Sequence, residues 1–150
     1  MAGFQFKLQP VLKVRQAAED RCQRDLADIM RRRNAAHDRL REMQQTIVES
    51  KHALATGLVG AVNVSHIGQF ARYSAQVRVR AQTLLRELAG IEREVNAARA
   101  RLLEATRARK ALELLRDKQQ ARWELERRRR EAVEMDELGT QSFIRQQSAG

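Results

Sequence analysis

Side chains that could do covalent or metal chemistry are few and scattered. The 150 residues include one cysteine, Cys22, and three histidines, His37, His52 and His66. Their spacing matches no metal-ligand set, and there is no glycine-rich phosphate loop. Carboxylates are plentiful, but paired Glu and Asp residues are ordinary on solvated helical faces. No catalytic residue, metal site or cofactor is therefore expected. A lone cysteine cannot form an internal disulfide, which fits a reducing, cytoplasmic setting.

The remaining chemistry is recognition. Arg127-Arg128-Arg129-Arg130 follows closely on Arg122 and Trp123. Arginine offers a planar donor fork to carboxylates and phosphates, and Trp and Arg are the residues most often found as binding hot spots. Three readings fit the run: a solvated helix kept soluble by charge, a docking surface for an acidic partner, or a nucleic-acid contact. Glu131, Glu134, Asp136 and Glu137 come directly after it and would repel phosphates, so nucleic acid is disfavoured. Arg31-Arg32-Arg33 is a similar but less isolated run. Phe70 and Tyr73 form a second aromatic group that either caps a coil end or offers a partner site.

Composition says what must position these groups. Charged residues make up 32% of the chain and aromatics 4%, with seven Gly and one Pro. That is too few large side chains for a wide core, and it is the composition of long helices. Net charge is +10 and is spread out: eleven basic against seven acidic residues in 1–60, eighteen against twelve in 61–150. An acidic protein surface, nucleic acid or an anionic membrane would each suit that balance. No apolar run approaches a membrane span, and no apolar stretch follows a basic start, so no signal peptide is expected.

Two heptad registers organise the chain. The first runs Leu8, Leu12, Arg15, Glu19, Cys22, Leu26, Ile29, Arg33, Ala36, Leu40, Met43, Ile47, Ser50, Leu54. The second runs Phe70, Ser74, Val77, Ala81, Leu84, Leu88, Ile91, Val95, Ala98, Leu102, Ala105, Arg109, Leu112. A 3.5-residue repeat of this length predicts a left-handed coiled coil. Gly57, Gly60 and Asn63 between them predict a turn, with Asn63 or Ser65 as the next cap.

The fold class expected is all-α: an antiparallel two-helix coiled-coil hairpin with an overhanging C-terminal helix. Helix one spans about 8–56, the turn about 57–65, helix two about 66–138, and a flexible tail 139–150, all within one unit. If Leu54 faces Phe70, paired residue numbers sum to about 124, and both seams then end together. Gly139 is the expected stop of helix two. The overhang carries Trp123 with no partner helix over it.

The opening FQFKLQPVLKVR places Phe4, Phe6, Leu8, Val11 and Leu12 at the end opposite the turn. Pro10 suits a first helical turn. Helix two should pass this group near residues 112–120, leaving part of its apolar surface uncovered, as at a docking end.

That opening, with Phe4, Phe6, Leu8, Val11, Leu12 and Arg15 in an F-x-F-x-L-x-x-V-L-x-x-R pattern, resembles the N-terminal signature of the FliJ family of flagellar export proteins. Lys110, Leu112, Glu113 and Leu115, and the later Asp136 and Glu137, resemble that family's C-terminal helix. The GLVGAV loop departs from it. The resemblance implies a non-enzymatic hairpin acting as the central stalk of the hexameric export ATPase FliI. It would promote ring assembly and contact the export gate protein FlhA and cargo chaperones, with no small-molecule substrate. It implies a cytoplasmic protein at the inner face of the inner membrane, serving motility. By this resemblance the end carrying Phe4 through Arg15, together with Arg122, Trp123 and Arg127 to Arg130, enters the ring. Phe70 and Tyr73 are candidates for the gate or chaperones. Alternatives are the equivalent stalk of a virulence type III secretion system, a basic coiled coil binding nucleic acid, or a structural spacer.

Overall fold

The computed structural model describes residues 3–57 and 64–150. Two helices account for nearly all of them: α1, Gln9–Gly57, and α2, Val64–Ser148. No strand occurs among the described residues. The chain is all-α, two long helices packed against each other. Neither helix contains an internal proline. Pro10 is the second residue of α1, where its missing N–H has no helical acceptor to serve. The turn before it is closed by the Gln9 N–H donating to the Phe6 carbonyl at 3.1 Å.

The chain divides into two compact units. One comprises Asp20–Leu103, the other the residues up to Glu19 with those from Glu104 onward. In the Asp20–Leu103 unit the helices run antiparallel, as two cross-helix ion pairs show: Arg32 to Glu94 at 2.8 Å and Arg33 to Glu92 at 3.6 Å. Ala36, Leu84 and Leu88 form its buried cluster, with Leu40, Met43 and Ile91 against it. Val77, Val95 and Ala98 are also buried. All nine lie on the expected seams, each at a heptad position read from the sequence. Ala36 and Leu88 satisfy the register of 124, and the two ion pairs fall within two residues of it. Arg33 is thus a seam residue whose charge is met by a partner, not a sign of a loose coil.

In the other unit the helices again run antiparallel, and Phe6, Leu12 and Glu19 are buried. Leu12 has no exposed surface. Before α1, residues 3–6 are not helical. They lie along α2, with Phe4 against Trp123. Every residue of α2 from Leu125 onward is exposed.

Two boundaries differ from the sequence expectation. Helix two does not stop at Gly139; it continues to Ser148, so 139–148 is helix where a flexible tail is expected. A glycine in a helix interior costs only about 1 kcal/mol relative to alanine, too little to end a helix whose flanks favour it. The Thr140 hydroxyl donates to the Asp136 carbonyl at 2.9 Å across that point. Helix two also starts at Val64, so Ser65 lies within the helix rather than ahead of it. The expected turn at Gly60 and the cap at Asn63 lie outside the described residues.

Candidate functional site

Both candidate surfaces can be built from local rules. The first combines the N-terminal segment with α2. Phe4 and Phe6 lie in the non-helical stretch before α1, two residues apart, so alternation along the chain would set both on the same side with Gln5 opposite. Phe6 is buried and Phe4 half-buried. The Phe4 ring sits 6.1 Å from the Trp123 ring, tilted by 53°. That is a favourable aromatic geometry, between stacked and edge-on. One helical turn further, Arg127 places its guanidinium 5.4 Å from the centre of the Trp123 ring. The electron-rich ring face attracts the cation. Arg127 also pairs with Glu131 at 3.5 Å.

Trp123 is therefore not bare, as the sequence suggests. Neither described helix end covers it, but the non-helical stretch before α1 does, through Phe4. The contact also falls later on α2 than the expected 112–120. A groove beside it is lined by Gly3, Trp123, Glu126, Arg127, Arg130, Glu131 and Glu134. Three carboxylates and two guanidiniums share that groove, so its charge is mixed rather than uniformly basic.

The structure brings together Phe4, Trp123 and Arg127 out of the expected set. Phe6 and Leu12 serve the core. Leu8, in the turn before α1, and Val11 and Arg15 on α1 are exposed, as are Arg122, Arg128, Arg129 and Arg130 on α2.

The second candidate surface lies in the Asp20–Leu103 unit. Phe70 and Tyr73 line an open groove with Ser50, Ala53, Leu54, Gly57, His66 and Gln69. Phe70 is half-buried and Tyr73 is 39% exposed.

One arrangement lies outside the expected site residues. The Arg109 guanidinium donates through Nε to Glu19 Oε2, and through Nη2 to Glu19 Oε1 at 3.4 Å. It also donates through Nη1 to Glu113 Oε2 at 2.7 Å. The Thr106 hydroxyl adds a donor to Glu19 Oε1 at 3.1 Å. These bonds from Arg109, with those of Thr106, hold the Glu19 carboxyl below the usual carboxylate range against the opposing effect of burial. The same contacts hold the Arg109 guanidinium above its ordinary value. The signal was present in the sequence. Glu19 and Arg109 are opposite charges on opposite seams, near each other's positions in the pairing register.

No group of three or more His, Cys, Asp or Glu side chains suited to a metal occurs among the described residues. No helix among them is long and apolar enough to cross a membrane.

The fold defines the class: an all-α pair of long antiparallel helices. Among helical pairs of this kind the comparison with known families is specific. The model of the flagellar FliJ protein matches residues 4–148, and the chain belongs to that family, a non-catalytic component of the flagellar protein export apparatus. No curated protein and no solved structure matches the chain.

Proposed function

We propose that this chain is the central stalk of the flagellar export ATPase ring. In this reading it promotes assembly of the hexameric ATPase FliI and couples it to the export gate protein FlhA and to cargo chaperones. It works in the cytoplasm, at the inner face of the inner membrane. The observation that carries the reading is the cluster of Phe4, Trp123 and Arg127, with the exposed Arg128, Arg129 and Arg130 beside it. Aromatic and arginine anchors of this kind dominate protein interfaces. The exposed guanidiniums would steer the cluster to acidic surfaces of the ring, with a strong dependence on salt. Leu8, Val11, Arg15 and Arg122 would supply the rim of that contact, and Phe6 and Leu12 its packed support.

ATP chemistry belongs to the ring. A stalk affects it only by binding some ring conformations better than others, because a ligand with equal affinity for all states shifts nothing. The aromatic groove around Phe70 and Tyr73 is the proposed contact for the gate or a chaperone. Mixed charge in the groove beside Trp123 argues against nucleic acid as the partner.

The test is hydrolysis by the cognate export ATPase with and without this chain. Stimulation is expected, and it should fall when Arg127 to Arg130 are all changed to Glu while far-UV circular dichroism stays helical. A chain that leaves hydrolysis unchanged at saturating concentration would remove the stalk assignment.

A further inference from the structure

The last part of α2 carries a stripe that none of the described residues covers. Leu125, Arg129, Ala132, Asp136, Gly139 and Phe143 recur at steps of four and three residues, so they share one face of the helix. Leu125 is 49% exposed and Phe143 59%. Val133 and Met135 flank the stripe and are exposed at 56% and 69%. The face thus has a large apolar side chain at each end, small residues and two opposite charges between them, and two exposed apolar side chains beside it.

The charges on the stripe identify a partner. Arg129 and Asp136 stand seven residues apart, about 10 Å along the axis, too far to pair with each other. Asp136 has only uncharged neighbours at three and four residues: Ala132, Val133, Gly139 and Thr140. Neither residue makes an ion pair among the described residues. A basic and an acidic position on one otherwise uncharged stripe are complementary to the same stripe turned end for end.

The geometry points to an antiparallel, two-fold pairing of this helix with the same helix of a second copy of the chain. Leu125 then lies opposite Phe143 of the second copy, and Arg129 opposite its Gly139. Gly139 has nothing within 4 Å of where a Cβ would stand, so there is room for the arginine side chain. Ala132 lies opposite Asp136 of the second copy. Arg129 is then about 4.5 Å along the axis from that aspartate, within reach of its guanidinium. The two-fold axis passes beside residue 134, so Val133 and Met135 each approach their own counterpart. Antiparallel seams place such flanking positions against themselves. Parallel pairing would set Arg129 on Arg129 and Asp136 on Asp136, which repel. Orientation is therefore specified as well as partner.

This inference is independent of the stalk reading, since no ring protein takes part. It does have a consequence for that reading: self-pairing covers Arg129, so the paired form and a form docked through the same helix exclude each other.

The experiment is analytical ultracentrifugation of the full chain across a concentration series. The wild type should show a reversible monomer–dimer equilibrium. Arg129→Asp and Asp136→Arg should each weaken it by about tenfold, because two symmetry-related pairs turn repulsive. The double variant carrying both changes should restore it, since the swap preserves complementarity. Cross-linking checks the register in a Cys22→Ser background. Met135→Cys should oxidise readily to a covalent dimer, and Leu138→Cys, on the opposite face, should not. A chain that stays monomeric at every concentration overturns the proposal. So does a dimer indifferent to either charge reversal, or one trapped better through Leu138→Cys.

Discussion

The Asp20–Leu103 unit and the unit formed by the two chain ends use the same helices differently. The first buries small and medium aliphatic residues, each at an expected heptad position: Ala36, Val77, Leu84, Leu88, Val95 and Ala98. Its cross-helix charges, Arg32 to Glu94 and Arg33 to Glu92, lie at or near the surface. The second buries fewer aliphatics and adds a carboxylate held by three donors, an aromatic pair and a cation on an aromatic face. A regular seam supplies stability without caring much about register. A seam that buries one ion pair penalises every register in which that pair is broken. The difference teaches that one pair of helices can combine a regular aliphatic seam with a stretch whose packing is set by polar and aromatic contacts.

The sharpest way to break the comparison is to empty each core. Leu12 has no exposed area, so Leu12→Ala should cost about 3 kcal/mol, within the range for buried leucines. Chemical denaturation measures it. Hydrogen exchange should show amides up to Glu19 losing more protection than those of Asp20–Leu103. Equal losses in both units would mean that they unfold as one.

The next test uses pH. Glu19 has a folded pKa below the ordinary carboxylate value, chiefly because Arg109 bonds its charged form. Its contribution to stability is fully present above the ordinary value, about 4.3, and is lost as pH falls below it through the folded value. Glu19→Gln should therefore lower stability at neutral pH and flatten the acid limb of the stability curve. A variant with an unchanged acid limb would remove the ion pair from the account.

A smaller effect is expected at the aromatic pair. Trp123 is the sole tryptophan, so its fluorescence reports the N-terminal segment directly. Phe4→Ala should shift its emission to the red and cost about 1 kcal/mol, the usual worth of such a pair. Far-UV circular dichroism should not change, because residue 4 precedes the helix. Emission that does not move would place Phe4 elsewhere in solution.

The smallest effect runs the other way. Ser74 sits on the seam with its Oγ buried and without a hydrogen-bond partner. Ser74→Ala removes an unsatisfied group and should stabilise the Asp20–Leu103 unit by about 1 kcal/mol in the same denaturation assay.

Much of this was legible in the residue order. Heptad spacing located every buried aliphatic of the Asp20–Leu103 unit, because one-dimensional repeats leave one-dimensional traces. The pairing register followed from the turn residues and agrees with the observed ion pairs. Two features were not legible. Phe4 and Trp123 meet through a non-helical segment, and no periodicity predicts where such a segment lies. The continuation of α2 past Gly139 was obscured because a glycine near a helix end reads as a stop, although its cost alone does not impose one. Arg109 and Glu19 could have been paired by register and opposite charge, but each seam read alone shows only an anomalous polar residue.

The central claim is that the cluster around Trp123 docks the export ATPase. The most direct measurement is fluorine NMR of the full chain labelled with 5-fluorotryptophan, which places one probe at residue 123. Addition of unlabelled export ATPase should shift or broaden that single resonance, and Arg127→Glu through Arg130→Glu should suppress the change. A resonance that stays fixed while the ATPase is demonstrably bound would contradict the claim.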